Sequence, residues 1–70
     1  MTDIKINTEN IKLDSFLKLS GESESGGQAK EMINSGEVFV NGEVCFSRGK
    51  KLFSEDTVSV GENEYRVVSQ

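Results

Sequence analysis

Asn41-Gly42 stands between "VFV" and "EVCF", and no other dipeptide in the chain restricts the fold as much. A two-residue type I′ turn needs positive φ at both central positions, which asparagine and glycine tolerate and most residues do not. The spacing therefore predicts a hairpin with Val40 opposite Glu43, Phe39 opposite Val44 and Val38 opposite Cys45. Paired residues share a face, so Val38, Val40 and Cys45 point one way while Phe39, Val44 and Phe46 point the other. Both faces carry apolar groups, and the pattern alone leaves open which is core.

Upstream, "IKLDSFLKLSG" places Leu13, Phe16 and Leu17 at i, i+3 and i+4 on one helical face, and Gly21 supplies a stop; a helix over about residues 13–20 is predicted. A second helix begins at Ser25. Ser25 and Gln28 have capping-box spacing, in which the serine oxygen takes one free backbone N–H and the glutamine reaches back to another. Ala29, Met32 and Ile33 form its apolar stripe, Lys30 and Glu31 project elsewhere, and Gly36 ends it. Ile4 and Ile6 flank Lys5 as in a short strand. "DTVSV" and "YRVV", separated by "GENE", read as two more strands that close a small antiparallel sheet.

With 70 residues there is room for one domain, 1–70, and one small core. No apolar run approaches the roughly 20 residues of a membrane span, and "MTDIKINTE" lacks the regions of a secretory signal, so a cytoplasmic protein without a membrane partner is expected. Cys45 is the single cysteine and there is no histidine. That composition excludes intrachain disulfides, Cys/His zinc sites and every imidazole-dependent triad, so neither catalytic residues, nor a metal, nor a cofactor is expected. The carboxylates form no convincing catalytic pair and read as surface charge, and Cys45 reads as a small buried hydrophobe.

Twelve acidic residues against eight basic ones give a net charge of −4, which by itself argues against a polyanionic partner. The distribution argues the other way. "SRGKKL" puts Arg48, Lys50 and Lys51 in one loop with no intervening acid, Lys12 precedes the first helix, and Lys30 lies early in the second. Such a loop is either a phosphate contact or a solvated turn. Gly26 and Gly27 also have two readings: relief of crowding between helices, or side-chain-free N–H groups at a helix start that an anion can approach. Phe39, Phe46 and Phe53 are suited to base stacking if exposed, but filling the small core is the default expectation.

Taken in order, "KLDSFLKLSG", "SGGQAKEMINSGEVFVNGEV" and "RGKKLFSEDTVSV" resemble the S-four RNA-binding domain, named after ribosomal small-subunit protein four. The likeness spans about residues 11–60 and is nearest to the small stand-alone bacterial members, which are described as ribosome-associated. It implies an α+β fold in which two short packed helices, the alpha-L RNA-binding motif, lie against a small, mostly antiparallel sheet. It assigns Val38, Val40 and Cys45 to the core. It also implies a non-catalytic protein that recognises structured, ribosomal RNA through phosphates and shape. Lys12, Lys30, Arg48, Lys50 and Lys51 are then the expected contacts, assisted by Gln28 and the N–H groups of Gly26 and Gly27.

The chain departs from the family pattern in three places. Gly26 stands where arginine is usual in the wider superfamily, Ser47 where the stand-alone group often has a basic residue, and "SED" at 54–56 replaces a proline-glycine-aspartate turn. The missing cations are the best support for the alternative to RNA binding, a protein-interaction module that docks a partner through its acidic surface and Phe39 or Phe46. A monomer is the simplest expectation.

Overall fold

Both predicted helices form where their apolar spacing and caps put them. In the computed structural model, which describes residues 1–69, α1 spans Leu13–Ser20 and α2 spans Gly26–Asn34. Gly21 closes α1 at φ +88°, its N–H donating to the Lys18 carbonyl. α2 starts on Ser25, whose hydroxyl accepts from the Gln28 N–H at 3.1 Å. Gln28 reaches one residue further back than a standard capping box: its Oε1 accepts from the Glu24 N–H at 2.7 Å, not from Ser25. Gly36, at φ +82°, ends α2 in a Schellman arrangement, with Gly36 N–H on the Ile33 carbonyl and Glu37 N–H on that of Met32.

The strands are β1 (Thr2–Ile6), β2 (Asn10–Lys12), β3 (Val38–Val40), β4 (Glu43–Val44), β5 (Lys51–Phe53), β6 (Thr57–Val60) and β7 (Asn63–Ser69). Five of them form one sheet in the order β1-β7-β6-β3-β4. The hairpin has the expected register, with Phe39 opposite Val44 and Val40 opposite Glu43, and its turn residues Asn41 and Gly42 sit at φ +51° and +85°. β6 and β7 pair antiparallel across a turn tighter than "GENE", since Asn63 and Glu64 are already in the strand. The isoleucine-flanked strand at the start, β1, lies parallel to β7 at the sheet edge, so the first and last strands are neighbours.

The remaining two strands, β2 and β5, have no counterpart in the sequence reading. They form a separate antiparallel ribbon, Asn10 opposite Phe53, Ile11 opposite Leu52 and Lys12 opposite Lys51. The ribbon turns Leu52 into the core and holds the segment before α1 in place.

One core joins all layers. Leu13, Phe16 and Leu17 of α1, Ala29 and Ile33 of α2, Leu52 of the ribbon, and Ile6, Val38, Val40, Val58 and Val67 of the sheet are buried together. Phe16 meets Tyr65 edge to face, with ring centroids 6.2 Å apart. Cys45 packs at the core's margin, and its N–H donates to the Val38 carbonyl. Three phenylalanines contradict the default expectation. Phe39, Phe46 and Phe53 are 40%, 61% and 45% exposed; Val38 and Val40 beside Phe39, and Leu52 beside Phe53, take the inward positions, and Cys45, next to Phe46, packs against the core.

The turn that replaced proline-glycine-aspartate carries a left-handed residue, Glu55 at φ +79°, which is unusual for a side chain of this kind. Neighbouring bonds hold it. Glu55 N–H donates to the Val67 carbonyl at 2.8 Å, and Asp56 Oδ2 accepts from the Phe53 N–H at 2.8 Å.

Candidate nucleic-acid interface

Helix α1 begins without a side-chain cap, because Lys12 holds the N-cap position in an extended conformation and has no acceptor to offer. The loop after the hairpin fills that role. The Leu13 N–H donates to the Lys50 carbonyl at 2.8 Å, and the Asp14 N–H donates to the Arg48 carbonyl at 3.2 Å. Asp14 Oδ1 in turn accepts from the Ser15 N–H at 2.7 Å. The loop is itself a turn, closed by Lys50 N–H on the Ser47 carbonyl.

Those bonds fasten "SRGKK" to the start of α1, and the ribbon continues the fastening by setting Lys51 directly opposite Lys12. Four of the five predicted cations, Lys12, Arg48, Lys50 and Lys51, therefore lie together and are exposed. The fifth, Lys30, is exposed on α2, and no bond ties it to the other four. Among the described residues none of the five lies within ion-pair distance of a carboxylate; the ion pair present is Arg66 with Asp3. That pair is two-pronged, Nε on Oδ1 and Nη2 on Oδ2, each at 3.1 Å, and the carboxylate beside it raises the guanidinium's pKa further. Arg66 is thereby engaged elsewhere.

Acids gather at the opposite end of α1. Glu22, just past its C-terminus, accepts from Asn63 Nδ2 at 2.9 Å and from the Tyr65 hydroxyl, and Asn63, at the start of β7, is flanked by Glu62 of the turn and Glu64 of the strand. This acidic group and the basic loop are thus separated by the length of α1, about 12 Å for eight residues, with Asp14 beside the loop and Lys18 in the last turn of the helix. A cationic loop coexists with a negative total charge because part of the acid lies at the other end of the helix.

The N-terminus of α2 differs from that of α1 in being open. Gly26, Gly27 and Gln28 are exposed, the first turn holds no acidic residue, and the N–H groups of Gly26 and Gly27 have no partner among the described residues. Neither glycine is at positive φ. A Cβ at Gly26 would meet nothing within 4 Å, and one at Gly27 would make ordinary contact with Ser25 Oγ at 3.9 Å. Relief of crowding is therefore not why glycine occupies these positions.

The sequence reading found the cations one by one but missed the ribbon that aligns Lys12 with Lys51. The signal was present only as "NIK" and "KLF", three residues each, too short to show period-two alternation. No helix among the described residues is long and apolar enough to cross a membrane.

Two short helices, the first capped by a basic turn, backed by a mixed sheet define an S4-type domain. A sequence model of the S4 domain family matches residues 4–68, and the chain belongs to that family. It is 43% identical over 67 residues to a probable ribosome maturation protein, RlbA, of Bacillus subtilis strain 168, with 94% of each chain covered. It is 40% identical over 60 residues to a putative RNA-binding protein, YbcJ, of Escherichia coli K12, with 86% of each covered. Among solved structures, that of YbcJ, described as revealing an alpha-L motif involved in RNA binding, matches with a TM-score of 0.73 and 36% identity, over 97% of this chain and 87% of that one. The 30S ribosomal protein S4e of Thermoplasma acidophilum matches with a TM-score of 0.64 at 19% identity, over 86% of this chain and 32% of that one, a likeness of fold.

Proposed function

We propose that the chain is a non-catalytic RNA-binding protein that grips structured RNA of ribosomal particles in the cytoplasm, as a monomer. The observation that carries this reading is the pair Lys12–Lys51, set opposite each other with Arg48 and Lys50 fastened alongside and, among the described residues, no carboxylate in ion-pair reach. Like charges placed opposite across a ribbon destabilise it, and a bound phosphate removes that penalty. The names of the relatives, a ribosome maturation protein and an RNA-binding protein, support the same reading.

Lys12, Arg48, Lys50 and Lys51 form the electrostatic patch, and Lys30 adds a contact from α2. The open N–H groups of Gly26 and Gly27 take a further phosphate oxygen, where the wider family uses an arginine side chain. Gln28 holds that helix start in shape through the Glu24 N–H.

Salt titration of binding to purified ribosomal RNA tests the proposal. With four or five phosphates neutralised, log affinity falls against log salt with a slope of about −3 to −4, using the single-strand coefficient. Absence of salt-dependent binding by folded protein overturns it. The protein-docking reading keeps one observation, the exposed patch of Phe39, Val44 and Phe46. Co-sedimentation with ribosomes that survives nuclease digestion of accessible RNA is the result that would favour it.

A further inference from the structure

The β2–β5 ribbon does more than align two lysines. Residues directly opposite across an antiparallel pair share a face, and residues two apart along a strand share it too. Asn10, Lys12, Lys51 and Phe53 therefore lie on one face of the ribbon, and Ile11 and Leu52 on the other. Burial agrees: Leu52 is fully buried, whereas Lys12 and Lys51 are exposed and Phe53 is 45% exposed.

We infer that Phe53 is a stacking platform for an unpaired RNA base whose phosphate is held by Lys51 and Lys12, so that the preferred RNA carries an unpaired nucleotide and is not a continuous duplex. The inference rests on the RNA-binding reading and adds the class of RNA. Three features of the ribbon support it. First, Phe53 lies two residues from Lys51, a separation of about 6.7 Å along a strand, within the reach of a single nucleotide from its phosphate to its base. Second, the platform is fixed: its N–H is held by Asp56 Oδ2 at 2.8 Å, and the neighbouring Leu52 anchors the strand in the core. Third, the charge on this face suits an anion. The strand residues contribute two lysines and no acid, while Glu9, Glu55 and Asp56, whose Oδ2 accepts from the Phe53 N–H, lie outside the paired residues at the Phe53 end, where the uncharged base and not the phosphate would sit.

Phe39 provides the contrast. It is exposed to a similar degree, 40%, but it sits on the outer face of the five-stranded sheet beside Val44 and Ser59, in a row that continues to Glu64 and contains no cation. An exposed ring without a neighbouring phosphate site is a matched control.

The test uses the full chain, a single-stranded adenylate 12-mer and a blunt 12-base-pair RNA duplex. Phe53→Ala should bind the single strand roughly ten- to a hundredfold more weakly, the range of base–aromatic stacking, with an unchanged salt slope. Phe53→Leu should be similarly weak and Phe53→Trp should restore binding, while Phe39→Ala stays within about twofold of wild type. Because the chain has no tryptophan, the fluorescence of Phe53→Trp reports this site alone; the single strand should quench it and the duplex should not. Circular dichroism of each variant checks folding, which an exposed position should leave intact.

The inference is overturned if Phe53→Ala or Phe53→Leu binds the single strand as wild type does, if Phe39→Ala loses as much, or if wild type binds ribosomal RNA but not the single strand. In each of those cases salt-dependent binding survives and the RNA-binding reading stands. If wild type binds no RNA at all, that reading falls and the platform falls with it.

Discussion

Lys12 and Lys51 face each other across the β2–β5 ribbon, and among the described residues neither has a carboxylate within 4.0 Å. The arrangement opposes stability and favours an anion. It also joins two stretches of chain that the sequence keeps 39 positions apart.

Reversing one of these charges should therefore move stability and binding in opposite directions. Lys51→Glu replaces a like-charge pair with an opposite-charge pair and should raise stability by a few tenths of a kcal/mol, read as a small rise in the urea midpoint. The same variant should bind ribosomal RNA more weakly and flatten its salt dependence by about 0.7 or more, the contribution of one lost phosphate contact. A variant that loses stability along with binding would mean that the lysine serves the ribbon and not a ligand.

Gly26→Ala should leave the fold intact or slightly more stable, by at most about 1 kcal/mol, since alanine is the better helix former. Space is available, with nothing within 4 Å of the added Cβ. RNA affinity should nonetheless drop severalfold with the salt slope unaltered, because a methyl group obstructs the backbone N–H groups without removing a charge. Unchanged affinity would leave the glycine pair with no part in binding.

Asn41 has two separable duties. Its φ of +51° forms the hairpin turn, while its side chain accepts from the Thr57 N–H at 2.9 Å and donates to Asp56 Oδ1 at 3.1 Å. Asn41→Gly keeps the first duty and loses the second, so it should cost about 1–2 kcal/mol. Asn41→Ala loses both and should be worse by about a further 1 kcal/mol. Urea unfolding of the two variants gives the order directly, and equal stabilities would show that the turn conformation contributes nothing.

Tyr65 links β7 to the loop between the helices through Glu22. The hydrogen bond to that carboxylate, then burial, then its negative charge raise the phenol's pKa above the ordinary 10.0. A group whose pKa is higher folded than unfolded contributes stability that is fully present below the unfolded value and disappears as pH rises through the folded one. Stability should accordingly decline above pH 10, and Tyr65→Phe should reduce the part of that decline that belongs to this link. Thermal melts of both proteins from pH 8 to 11.5 provide the comparison, and coincident alkaline curves would rule out the linkage.

Where local chemistry decides conformation, the residues could be read in advance. Leu13, Phe16 and Leu17 specify α1 because three apolar groups on one face have a single low-energy use in water. Ser25 and Gly36 delimit α2 because caps depend on neighbours within a few positions. Asn41-Gly42 sets the hairpin register by the same short-range rule, and that register carries Val38 and Val40 into the core.

The cationic patch was legible as a set of residues but not as a surface. Arg48, Lys50 and Lys51 are adjacent in sequence, yet the capping of α1 by the Arg48 and Lys50 carbonyls depends on Lys12 being unable to cap the helix itself. Lys30 remains apart from them, held by no bond to the patch.

The sequence by itself determined the two helices, the Ser25 cap, the stops at Gly21 and Gly36, and the hairpin, since each follows from residue type or from contacts a few positions apart. Tertiary structure alone decided the β2–β5 ribbon, the parallel union of β1 with β7, the outward turn of Phe53 and the meeting of Lys12 with Lys51. Three-residue strands carry too little periodicity to announce themselves. Their pairing depends on the core, which closes the long loops between them and brings their backbone groups within hydrogen-bonding distance.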